Sequence, residues 1–78
     1  MMKITPKEIK ELPEGSKVRK HSVDRQGYSQ YLDLKVDKSK GFRLVYRDYY
    51  GKLHEDRIQY FKPNDIYRFY ELIEKAPE

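Results

Sequence analysis

Arg43, Val45, Arg47 and Tyr49 recur at every second position inside the stretch Gly41–Lys52. Alternate residues of a strand share a face. Two guanidinium groups and an aromatic ring therefore line up on one side, while Phe42, Leu44 and Tyr46 take the other. Guanidinium groups beside a ring make poor core. They suit a phosphate backbone whose bases stack on the ring. Other chemistry has thinner support. His21 and His54 lie far apart and there is no cysteine, so no metal-ligating spacing exists and no metal site is expected. Asp48, Glu55 and Asp56 cluster as a magnesium-dependent nuclease would need, but exposed hairpins are commonly acidic too. No glycine-rich phosphate loop and no nucleophile–base pair is present. The expectation is a binding protein and not an enzyme, with no cofactor and no small-molecule substrate.

The elements that must carry this face follow from the pattern. Thr5-Pro6-Lys7-Glu8 is a capping box with proline at the first helical position, which predicts a helical turn reaching about Leu12. Pro13-Glu14-Gly15-Ser16 reads as a turn. Lys17–Val23 is a first strand, polar enough to suit a sheet edge. Asp24-Arg25-Gln26-Gly27 reads as a turn into a second strand, Tyr28–Asp37. There Leu32, Leu34 and Val36 face inward, and Tyr31, Asp33 and Lys35 face outward. After the polar connection Asp37–Gly41 comes the strand described first, then the hairpin Asp48–Lys52. A fourth strand, Leu53–Phe61, has Ile58 and Tyr60 inward and Arg57 and Gln59 outward. Tyr46 and Tyr60 are expected in the core with polar tips. Pro63, Asn64 and Asp65 open a helix over 63–75, whose Ile66, Phe69, Tyr70 and Ile73 recur at helical spacing. Tyr67 and Leu72 widen that stripe, so Tyr67, Phe69, Tyr70, Leu72 and Ile73 are expected to touch a partner subunit of a homodimer. The expected fold is α+β: a four-stranded antiparallel meander followed by one long C-terminal helix. It forms a single domain, with 1–16 a capped turn and loop, 17–61 the sheet and 63–75 the helix.

With 78 residues, the chain lies near the lower limit for folding alone. Its formal net charge is +4. Residues 15–47 hold nine Lys/Arg against three Asp, a net of +6, whereas residues 48–78 hold five basic and seven acidic side chains, a net of −2. The basic character belongs to the first half, which points to an anion-binding face. Its expected members are Tyr31, Lys35, Arg43, Arg47, Tyr49 and Arg57, extended by Lys17, Arg19, Lys20, Arg25, Lys38 and Lys40. No apolar run is long enough to span a bilayer, and Met1-Met2-Lys3 leads into no signal-like segment. No membrane partner is expected, and the expected setting is intracellular.

Tyr46-Arg47-Asp48-Tyr49-Tyr50, Ile58-Gln59-Tyr60-Phe61, Lys62-Pro63 and the span Phe69 to Ile73 resemble, in order, motifs of the positive cofactor four family of single-stranded-DNA-binding transcriptional coactivators. The likeness covers roughly residues 17–75, with motif-level similarity over Phe42–Ile73. Arg57 stands where the family has a glycine, and Phe61 is an extra residue before the proline. The resemblance implies a curved sheet followed by a helix, and a homodimer that binds unpaired strands with little sequence preference. It implies that Arg47 contacts phosphate and that Tyr49 lies at the nucleic-acid surface. Two other readings stand beside it. Tyr-Arg-Asp-Tyr-Tyr-Gly-Lys at a hairpin also looks like the arm-type domains of integrases, which insert a sheet into duplex DNA. A tyrosine- and arginine-rich face is equally a protein hot spot, which would make the chain a small adaptor or inhibitor.

Overall fold

The computed structural model describes Met2–Glu78. Its elements are β1 (Met2–Ile4), α1 (Pro6–Lys10), β2 (Lys17–Val23), β3 (Ser29–Asp37), β4 (Arg43–Arg47), β5 (Leu53–Asp56) and β6 (Phe69–Glu74). Strands β2 to β5 form the expected antiparallel meander. The chain then crosses the inner face, and β6 returns to pair with β2, with β1 outside it. The single sheet has the order β1-β6-β2-β3-β4-β5. The fold is therefore an all-antiparallel six-stranded sheet with one short helix, which corrects the expectation of a four-stranded meander followed by a long helix.

Residues 63–75 are not helical. Asp65 accepts the backbone N–H groups of Tyr67 and Arg68, both at 2.9 Å, and the Arg68 Nε–H at 2.8 Å. These local bonds hold a turn that competes with helix initiation. From Phe69 the chain alternates, with Tyr70 and Leu72 facing the core and Phe69, Glu71 and Ile73 facing away. Pairing with β6 makes β2 a central strand, not an edge. The fourth strand ends at Asp56 and the rest of the expected run is irregular; Ile58 packs on the core, whereas Tyr60 is exposed. β1, three residues long, has no sequence pattern that announces it.

The helical turn is as the sequence requires. Thr5 Oγ1 accepts the Glu8 N–H at 3.2 Å, and Glu8 Oε1 accepts the Thr5 N–H at 3.1 Å. This reciprocal cap holds Ile9 and, just beyond the helix, Leu12 over the inner face, where they bury with Ile4, Val18, Leu34, Val36, Leu44 and Tyr70. The sheet curls around this core. Lys20 on β2 and Asp56 on β5 meet at 3.3 Å, although strands three positions apart in a flat sheet lie about 14 Å apart. Among the described residues no helix is long and apolar enough to cross a membrane.

Candidate nucleic-acid interface

Strand register places Lys17, Arg19 and His21 of β2, Tyr31, Asp33 and Lys35 of β3, and Arg43, Val45 and Arg47 of β4 on the outer face. Leu53 and Glu55 of β5 and Phe69, Glu71 and Ile73 of β6 share it. The alternation read from the sequence thus sorts β3 and β4 correctly. Lys20 differs: it points inward, to Asp56. Arg25 is exposed on the β2–β3 turn, Lys38 and Lys40 are exposed on the β3–β4 connection, and Arg57 and Gln59 are exposed on the irregular segment after β5. The five residues expected at a dimer interface do not share a face. Tyr70 and Leu72 face the core, Phe69 and Ile73 face outward, and Tyr67 lies before β6.

Much of the outer positive charge is already partnered. Arg19 donates to Asp33 at 2.7 Å while its guanidinium lies 4.3 Å over the Tyr31 ring. Arg43 donates to Asp37 at 2.7 Å. Asp37 also accepts the Ser39 hydroxyl at 2.7 Å and the Ser39 N–H at 2.8 Å. These three donors, the two from Ser39 first, hold its carboxyl down to about 2. Lys17 lies 3.6 Å from Glu74. Among the described residues Lys35 and Arg47 have no carboxylate partner; Arg47 donates instead to the Gly51 carbonyl at 2.9 Å.

Those two free cations flank a trough of about 890 Å³ on the outer face. Val45, Leu53 and Ile73 are among its apolar lining, and its polar walls carry Lys17, Lys35 and Arg47 together with Glu14, Asp33 and Asp37. Val45 is only 7% exposed although it faces away from the core. Arg47 and Leu53 pair directly, so the trough runs up to the β4–β5 turn. That turn is rigidly built. Asp48 accepts the N–H groups of Tyr50 and Lys52, both at 2.9 Å, and its other oxygen lies 2.8 Å from His54 Nε2. The His54 and Lys52 contacts lead in keeping the Asp48 carboxyl below the usual range. Gly51, at φ +82°, closes the turn in the left-handed region that side chains rarely adopt. On this frame Tyr49 and Tyr50 are 95% and 90% exposed, edge to face at 5.4 Å. The sequence reading of Tyr49 did not extend to Tyr50 or Lys52, although both stand in the same turn.

A second cluster lies on β6 and β2. The His21 ring stacks on Phe69 at 4.4 Å, and Lys3 Nζ sits 5.3 Å from the same ring. His21 Nε2 is 3.1 Å from Glu71 Oε1, while Glu71 Oε2 is buried without a partner. Reading 69–74 as a helix hid this group; reading it as a strand puts Phe69, Glu71 and Ile73 on one face.

No protein-family model, curated protein or solved structure matches this chain. Among the described residues the segment expected to be helical forms strand β6, so they do not show the sheet-then-helix architecture implied by the coactivator resemblance or the sheet followed by a helix of the integrase-like reading. The roles assigned to Arg47 and Tyr49 rest on the local geometry alone.

Proposed function

We propose that the outer face binds single-stranded nucleic acid along the trough and the β4–β5 turn, with little sequence preference. The observation that carries this reading is the junction of the two. An apolar trough with two unpaired cations, Lys35 and Arg47, leads to a rigid turn that presents Tyr49 and Tyr50 to solvent beside Lys52. Phosphates take Lys35, Arg47 and Lys52, and unpaired bases stack on the tyrosines. A fixed turn lowers the ordering cost of that contact. Arg43 and Arg19 serve the sheet first, because each is held by an aspartate.

The test is fluorescence anisotropy with labelled single-stranded and duplex oligonucleotides of one length over a salt series. Single-strand binding is expected to be tighter and to weaken with salt. Losing one stacked base with Tyr49→Ala or Tyr50→Ala is expected to cost about 1–3 kcal/mol, about 5- to 150-fold in Kd. Each of Lys35→Ala and Arg47→Ala is expected to flatten the log–log salt slope by about 0.7. Duplex preference, or binding indifferent to these four side chains, overturns the assignment. Absence of binding to any strand at low salt overturns it in favour of a protein partner.

A further inference from the structure

β3 is longer than its pairing with β4. Ladder contacts between them cover Lys35–Asp37, so Ser29–Asp33 is paired to β2 on one side and, among the described residues, to no strand on the other. The direction of the free groups follows from the register. In an antiparallel pair the bonds alternate, so successive residues aim their N–H and C=O at opposite neighbours. Val36 N–H donates to the Ser16 carbonyl on the β2 side, and Tyr28 C=O accepts the Asp24 N–H on that same side. The even-numbered residues between them thus serve β2, and Ser29, Tyr31 and Asp33 aim their backbone groups at the open edge. None of those groups has a hydrogen-bond partner on that side among the described residues.

The edge lacks the usual protection. Exposed edges are normally kept short, or carry lysine, proline or a bulge. β1, at one margin of the sheet, is three residues long, and β5, at the other, is four residues with His54, Glu55 and Asp56. Ser29-Gln30-Tyr31-Leu32-Asp33 has no lysine, arginine or proline, and its one charged side chain, Asp33, is neutralised by Arg19 at 2.7 Å.

We propose that this edge pairs with the same edge of a second copy of the chain, antiparallel and two-fold about Tyr31. That register sets Tyr31 against Tyr31 and Ser29 against Asp33 of the partner. The three free residues on each copy then exchange backbone bonds as direct pairs. The side chains agree with it. Directly opposed residues share a face, so on the outer face a serine hydroxyl meets an aspartate carboxylate at both ends, and no like charges are opposed. At the centre two tyrosine rings meet, each already backed by its own Arg19 at 4.3 Å. An isologous contact of this kind closes at two copies and joins the two curled sheets through β3. Of the residues that line the trough it uses Asp33 alone, at the trough's end, and it uses neither Lys35, Arg47 nor the Tyr49–Tyr50 turn. Its test reads self-association without nucleic acid, so its failure is separable from failure of the binding assignment.

The experiment is sedimentation equilibrium of the full chain across a wide concentration range, paired with residue-resolved amide exchange. Mass rising toward twice the chain mass is expected, with the N–H groups of Ser29, Tyr31 and Asp33 gaining protection as concentration rises. Ser29→Pro removes a donor aimed at the open edge and spares the β2–β3 ladder. Tyr31→Lys opposes two cations at the centre. Each variant is expected to return the mass to that of one chain with an unchanged circular dichroism spectrum. A monomer at all concentrations overturns the proposal. So does a dimer that leaves these three amides unprotected or survives both substitutions; if one variant misfolds, the other and the wild-type exchange pattern decide.

Discussion

Asp37 shows how one side chain decides what its neighbours can do. Three donors converge on its carboxylate, two from Ser39 and one from Arg43. Arg43 is thereby held to the sheet, its Nε buried without a partner. The Asp37 carboxyl titrates at about 2 in the folded chain against 3.8 as the ordinary value. A pKa lowered by folding stabilises the fold above the ordinary value, and that contribution disappears as pH falls through the folded one. The Asp37 carboxyl resonance is therefore expected to titrate near 2, and Asp37→Asn to remove the part of the acid dependence of stability between about 4 and 2. A midpoint near 4 in the native protein would show that the three donors do not bind as described. Asp48 is lowered in the same sense, His54 being the leading cause. In both places carboxylates that the sequence presents as free acids are saturated by nearby donors.

At the scale of elements, the segment before and through β6 repays comparison with α1. Both begin with helix-start chemistry. At α1 the Thr5–Glu8 box is completed and a helix follows. At Asp65 the carboxylate caps a turn instead, and the chain extends into the sheet. Ile66, on the expected helical stripe, is 72% exposed, whereas Tyr70 is 1% exposed, packs 5.6 Å from Phe61 and accepts the Gln59 N–H at 2.9 Å. The two positions separate the strand from the helix. Urea unfolding should show Ile66→Ala within about 0.5 kcal/mol of wild type. Tyr70→Ala should cost about 3–5 kcal/mol. Similar losses at both positions would mean that Ile66 is buried, as the helix requires.

For the whole molecule, closure matters more than any one strand. A domain of this length has roughly 4–12 kcal/mol of stability in total. Its curled sheet is crossed on the inside by the ion pair of Lys20 and Asp56, whose side chains are only 14% and 16% exposed. Removing one member leaves the other poorly hydrated against the core. Asp56→Ala is expected to cost about 2 kcal/mol, below the roughly 3–5 kcal/mol of a fully buried pair. Thermal melts of Asp56→Ala and of Lys20→Met with Asp56→Leu would read this: the double variant should recover most of the loss, because apolar replacement of both partners leaves no stranded charge. A double variant as unstable as the single one would mean that the pair contributes by more than satisfying itself.

Local order was enough for the elements whose signals are short-range. The reciprocal Thr5–Glu8 cap, the glycine turns, and the period-two alternation of Leu32–Val36 and Phe42–Arg47 depend on residues within a few positions of one another. They emerge as read, as does the outward placement of Tyr31, Lys35, Arg43 and Arg47. Three things depended on distant pairing. The six residues Phe69–Glu74 carry too short a pattern to separate a strand from a helix; only the open side of β2 selects the strand. Lys20 reads as one more surface cation until curling brings Asp56 against it. Whether an arginine is free for a ligand was likewise undecided until the fold set Asp33 against Arg19 and Asp37 against Arg43, and left Arg47 without a carboxylate. Side-chain periodicity is a local property, but the identity of the neighbour across a strand is set by the sheet.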